Sequence, residues 1–153
     1  MELLKNYLIW SALFGAILAQ ILKVVIILFT EKRLALDRFW ETGGMPSSHS
    51  AAVSALATSC GLKYGMGSAY FALAVVFGTV VIYDATGIRR AAGRHAEILN
   101  TLVKELGHLF EGKNNTKALK TLLGHTYPQA FVGTTIGIGV GYLTHYYFTK
   151  CII

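Results

Sequence analysis

Gly43-Gly44-Met45-Pro46-Ser47-Ser48-His49-Ser50 brings together the residue types that an anion site needs. Two glycines and a proline end one element, Ser47 or Ser48 can cap the next, and His49 falls in its first turn. Backbone N–H groups at a helix start lack intrahelical partners, and the helix dipole stands behind them, so the position attracts phosphate and similar anions. An imidazole there adds a proton donor or acceptor. The same letters also describe an ordinary capped turn with an exposed histidine.

A second such place is Leu123-Gly124-His125-Thr126-Tyr127-Pro128-Gln129, where His125 sits beside a glycine and just ahead of a proline that can open another helix. A third is Asp84 with Arg89 and Arg90. Guanidinium forks bind phosphate well, and Asp84 either orients one of them or closes a plain salt bridge or cap. Lys23 lies one turn after Gln20 inside an apolar stretch. A charge at the centre of a membrane helix costs about 2.5–3.5 kcal/mol on insertion scales, so Lys23 either snorkels outward or points into a bundle toward an anion. Two histidines and two arginines gathered at a helix start suit phosphoryl transfer: one imidazole attacks phosphorus, the other protonates the leaving oxygen, and the cations stabilise developing charge. A solvated helix face accounts for His95. His108 and His145 lack the surroundings of His49 and His125, and His145 beside Tyr146-Tyr147 reads as an interfacial residue.

These residues need elements to hold them, and the composition says which kind. The chain has 153 residues, 54% hydrophobic and only 14% charged, which fits one domain over 1–153 and is too apolar for a typical soluble one. Stretches of membrane length give four expected spans, at about 8–30, 48–64, 67–86 and 128–148. The expected fold class is therefore an all-α membrane bundle. The second span is short and rich in Ala and Ser, as befits an inner helix. The first is too long for a signal-peptide core. Between the third and fourth spans, 88–124 forms a loop with an amphipathic helix over 94–111 and another short helix over 116–123. The amphipathic helix is expected to lie on the membrane or on the bundle. Gly133, Gly137 and Gly141 recur every four residues in the last span, a flat face for close packing and a candidate surface for a homo-oligomer.

The formal net charge is +6, and ten of the 14 basic residues fall in the two loops that share a side. The positive-inside rule puts both loops in the cytoplasm and both termini outside, with the plasma membrane as the expected location. Such a face also attracts anionic lipid headgroups. Nucleic acid is not an expected partner, because the apolar spans already explain where the protein resides. Cys60 and Cys151 suggest neither a disulfide framework nor a metal site.

Gly-Gly-Met-Pro-Ser-Ser-His-Ser, Asp-Ala-Thr-Gly-Ile-Arg-Arg-Ala-Ala-Gly-Arg and Leu-Gly-His-Thr-Tyr-Pro-Gln-Ala-Phe-Val-Gly together resemble the divergent PAP2 membrane proteins, which are related to acid phosphatases and vanadium-dependent haloperoxidases. The resemblance covers nearly the whole chain. It implies a helical phosphatase fold that works through a phosphohistidine, with no metal or other cofactor. It also implies roles: Ser47 and Ser48 bind phosphate, His49 is the general acid, His125 the nucleophile, Arg89 or Arg90 the phosphate-binding guanidinium, and Lys23 the lysine of the first motif. Only this resemblance, through the six-residue offset from Arg89, makes His95 compete with His125. Ser48 replaces the glycine of Pro-Ser-Gly-His. Gln129 stands where the mainstream family has the aspartate that orients the nucleophile, and an amide can hold a tautomer without adding charge. The implied substrate is a lipid phosphate monoester or diphosphate, such as a polyprenyl or glycerolipid phosphate. The alternative is a non-catalytic lipid-phosphate binder or transport protein that keeps the anion pocket.

Overall fold

The structure is a computed structural model and describes residues 5–32, 43–106, 118–121 and 123–151. Five helices follow in order: α1 Tyr7–Glu31, α2 Ser48–Tyr64, α3 Ala69–Thr86, α4 Ile88–Glu105 and α5 Tyr127–Cys151. Among the described residues there is no strand, so the expected all-α bundle is what forms.

Each of the first three helices opens on a capped residue. The Asn6 side chain accepts from the Leu8 N–H, Ser47 from the Ser50 N–H and Ser68 from the Phe71 N–H. On α1 the buried residues Leu8, Ser11, Gly15, Ala19 and Lys23 form a stripe at three- or four-residue spacing, while Leu13, Phe14, Ile17 and Ile21 face outward. Small residues inside and large apolar ones outside is the pattern for a bundle in lipid, where close backbone packing replaces the hydrophobic drive. By length and composition, α1 and α3 are each apolar enough to cross a membrane, α3 as the first half of an unusually long stretch, Ala69–Glu105.

α2 is the axis of the bundle and packs against α1, α3 and α5. Its Ala and Ser residues let the neighbours come close. A Cβ on Gly133, Gly137 or Gly141 of α5 would lie inside 3.0 Å of the Ser47, Ala51 and Ala55 carbonyl oxygens respectively. Gly15 of α1 closes on the Ala51 carbonyl from the other side. The glycine face, a candidate surface for a homo-oligomer, packs within the chain: its flatness lets α5 press on the α2 backbone. Serine hydroxyls complete this seam. Ser59 donates to Ser11 Oγ at 2.7 Å and lies 3.2 Å from the Gly141 carbonyl, while Ser11 donates to the Ala55 carbonyl at 3.2 Å.

Two further expectations need correction. The amphipathic helix begins at Ile88 rather than Arg94, one residue after α3 ends, because Gly87 alone interrupts the helical path (φ −104°, ψ −82°). Residues 107–111 of the expected helix lie outside the described residues. The short helix expected over 116–123 is absent at 118–121 and at 123. There the Asn100 side chain both donates to the Leu119 carbonyl and accepts its N–H, each at 2.9 Å, which commits backbone groups that an α-helix would need. The connector at 33–42, with its aromatic pair, also lies outside the described residues.

At the bundle's other end, Tyr7 Oη and His145 Nδ1 are 2.8 Å apart, Tyr7 stacks on Phe148, and Lys63 Nζ lies 4.9 Å from the Tyr7 ring centre. His145 is thus bonded across the bundle rather than merely poised at an interface.

Candidate functional site

Four segments meet at the end of the bundle where α2 begins. The first is the turn before it. Gly44 has φ 90°, a left-handed conformation natural to glycine, and it aims its carbonyl at His125 Nδ1, 3.1 Å away. A carbonyl can only accept, so Nδ1 carries the proton and Nε2 keeps its lone pair. Nε2 is buried and has no hydrogen-bond partner among the described residues.

His125 itself is 2% exposed. Its backbone N–H donates to the Ala85 carbonyl at the end of α3, at 2.8 Å. Gly124 before it has φ 79° and passes so close to the Arg90 backbone that a side chain there would collide. The ring is thus fixed from three directions. Burial holds the His125 pKa below the ordinary histidine value, and the neighbouring Lys23 and His49 charges push the same way. The Gly44 carbonyl and the Gln129 side chain oppose that shift without cancelling it. At neutral pH the ring is a neutral base.

His49, in the first turn of α2, faces His125 with ring centres 6.2 Å apart. That is close enough for both rings to reach one tetrahedral group between them. A cavity of about 280 Å³ opens beside His49, lined by Val80, Val81, Asp84, Ala85 and Arg89. Arg89 Nε donates to Asp84 Oδ2 at 2.5 Å, so the carboxylate orients the guanidinium at the cavity wall. Both partners are part-exposed, at 48% and 34%, and such pairs contribute at most about 1 kcal/mol to stability. Placement is the larger consequence.

Lys23 does not snorkel: it is 1% exposed, and its aliphatic stem runs beside Gly44, where a Cβ would lie 3.5 Å from Lys23 Cδ. Its charge acts on both histidines. Four helices, α1 to α4, and the segment ahead of α5 therefore deliver Lys23, His49, Asp84, Arg89 and His125 to one place.

Other residues stand differently from expectation. Ser47 is wholly buried, and its hydroxyl accepts from the Ser50 N–H and hydroxyl. Its backbone N–H donates to the Gln129 carbonyl. Ser47 builds the turn, and only its hydroxyl proton is left to offer a ligand. Ser48 is the first helical residue and is buried. Arg90 is half-buried beneath Gly124 and is not part of the His49 cavity wall, so of the two arginines Arg89 is the one at the cavity. Gln129 Oε1 accepts from the Thr126 N–H at 3.0 Å, half of a capping box at the start of α5. The acceptor that orients His125 Nδ1 is the Gly44 carbonyl, which sequence reasoning missed because a main-chain oxygen has no letter. The signal that could have found it is a Gly-Gly pair just before proline. His95 is exposed on α4, on the same side as Leu99 and Leu102, and does not line the His49 cavity.

A model of the Divergent PAP2 family matches residues 4–140. YuiD, an uncharacterized membrane protein of Bacillus subtilis (strain 168), is 39% identical over 157 residues, which span 97% of this chain and 99% of its own. No solved structure matches.

Proposed function

This chain belongs to the divergent PAP2 family, and on that premise we propose that it is a membrane phosphatase-like protein that hydrolyses a lipid phosphate monoester or diphosphate. The observation that carries the reading is the His125 ring: neutral, with Nδ1–H held by Gly44, a bare Nε2, and its centre 6.2 Å from that of the His49 ring. Nε2 attacks phosphorus, the P–O ester bond breaks, and protonated His49 gives its proton to the departing oxygen. Neutral His49 then takes a proton from water, whose oxygen displaces the phosphoryl group from Nε2. Phosphate leaves and both rings return to their starting forms. Arg89 and Lys23 stabilise the charge that gathers on the equatorial oxygens. Ser48 at the helix start adds backbone donors. No cofactor enters the scheme. The basic loops favour a site at the cytoplasmic face of the plasma membrane.

The test is phosphate release from lipid phosphates by the purified chain in detergent or vesicles. His49→Ala should lower kcat by about 10²–10⁴, the usual contribution of a positioned acid, and His125→Ala should leave only background. Equal rates for wild type and both variants would sink the enzymatic reading.

A second reading has its own support. Gln129 occupies the position of the family's orienting aspartate, and its oxygen is committed to the helix cap. Such a site could bind a lipid phosphate, or take part in its transport, without turnover. It would show saturable binding that Arg89→Ala weakens, and no phosphate release.

A further inference from the structure

α4 presents three different sides. On one, Gly93, Ala96 and Asn100 lie under the segment that returns to α5: Asn100 brackets Leu119, and a Cβ on Gly93 would meet the Thr121 and Leu123 carbonyls. A second side carries Arg94, Glu97, Thr101 and Lys104, all exposed. The third carries Ile88, Leu99, Leu102 and Leu106, which are 64%, 48%, 45% and 40% exposed, with exposed His95 among them. Large apolar side chains in a single row need a cover.

We propose that this third side lies in the headgroup layer of the same bilayer that α3 crosses, with an anionic lipid surface as its partner. Position is the first argument. Only Gly87 separates the two helices, so α4 starts where a membrane-crossing helix ends. Laid straight, the 37 residues of Ala69–Glu105 would reach about 55 Å, against a hydrocarbon core of about 30 Å. The α4 half therefore belongs outside the core, and Gly87, whose backbone is not helical, supplies the change of direction. An apolar row opposite a charged one is the form of a helix lying in the interface plane.

Charge is the second argument. Outside the Arg89–Asp84 pair, α4 carries Arg90, Arg94 and Lys104 against Glu97 and Glu105, three positive and two negative, or +1. Anionic headgroups complement that excess. Because the segment bonded to Asn100 leads directly to His125, the depth of α4 also fixes the depth of the site. The proposal concerns where α4 lies and holds whether or not His125 turns over a substrate.

The experiment uses the full chain with Cys60→Ala and Cys151→Ser, checked for a single elution peak, then given one new cysteine. Leu99→Cys and Thr101→Cys point to nearly opposite sides of α4. Each carries a fluorophore in phosphatidylcholine vesicles with or without phosphatidylglycerol. At Leu99, a nitroxide lipid labelled near the headgroup should quench several-fold more than aqueous iodide; at Thr101 the order should reverse. Phosphatidylglycerol should widen the contrast, and no response to it would overturn the anionic partner. Equal iodide quenching at both positions would show a helix standing in water and overturn the proposal. Protection of Leu99 from both quenchers would also overturn it, because protein, either a second copy or residues 107–117, would be the cover.

Discussion

The two ends of the bundle are built from similar parts and differ in what those parts have left over. Each has a histidine on or beside α5, a lysine nearby and polar groups from α1 and α2. At the Tyr7 end, His145 Nδ1 is matched by a tyrosine hydroxyl, the aromatic rings stack, and exposed Lys63 sits over them. At the other end, His125 Nε2 is buried without a partner, Lys23 is enclosed, and Arg89 stands at a cavity. Residue type does not separate the two; the difference is whether geometry has used up the polar atoms. A satisfied histidine joins helices, whereas one with a bare, buried lone pair is available for chemistry.

The widest separation of the ends is expected in turnover. His145→Ala should leave phosphate release within about twofold of wild type, against the 10²–10⁴-fold loss expected for His49→Ala in the same assay. Comparable losses from His145→Ala and His49→Ala would erase the distinction.

The seam that fixes the distance between the ends can be broken next. Gly137→Leu forces a side chain onto the Ala51 carbonyl, and overpacking of this kind costs about 1–3 kcal/mol or more. Gly139, two residues on, has open space around its Cβ position, so Gly139→Ala should leave the melting temperature in detergent essentially unchanged. Matching losses from both would refute the assignment of that face to α2.

A smaller effect should appear in the pH dependence of stability. The folded-state pKa of His125 lies below its unfolded value, so below about pH 6.5 the unfolded chain binds a proton that the folded chain resists. Stability should fall as pH drops through that range, and His125→Gln should flatten the slope. Thermal melts between pH 8 and pH 5 provide the comparison. The smallest change is Tyr7→Phe, which removes one hydrogen bond worth about 0.5–1.5 kcal/mol and should lower the melting temperature slightly with turnover intact.

Much of this was legible in the sequence. Long apolar runs announced the helices, and the Ser47-Ser48 pair marked one start through cap chemistry. His49, His125 and Arg89 were visible as residue types on a shared side. What stayed hidden depended on backbone or on pairing at long range. The Gly44 carbonyl that sets the His125 tautomer has no side chain to read. The 118–121 segment has ordinary helix-forming letters, yet Asn100, about twenty residues earlier, claims its backbone. The glycine repeat on α5 stated that something approaches closely and left open whether that was another chain or, as it proves, α2.

The clasp of Gly15 and Gly137 around Ala51 has a consequence for biogenesis. α2 is the helix least suited to wait alone in lipid, since serines and alanines supply little of its insertion energy. One of its two jaws, α1, is synthesised before it, but the other, α5, comes only after α3 and α4. Until α5 arrives, the α2 backbone is bare along the side that the glycines will cover. A lesion in α5 should therefore be felt as instability of α2, whose carbonyls it leaves uncovered.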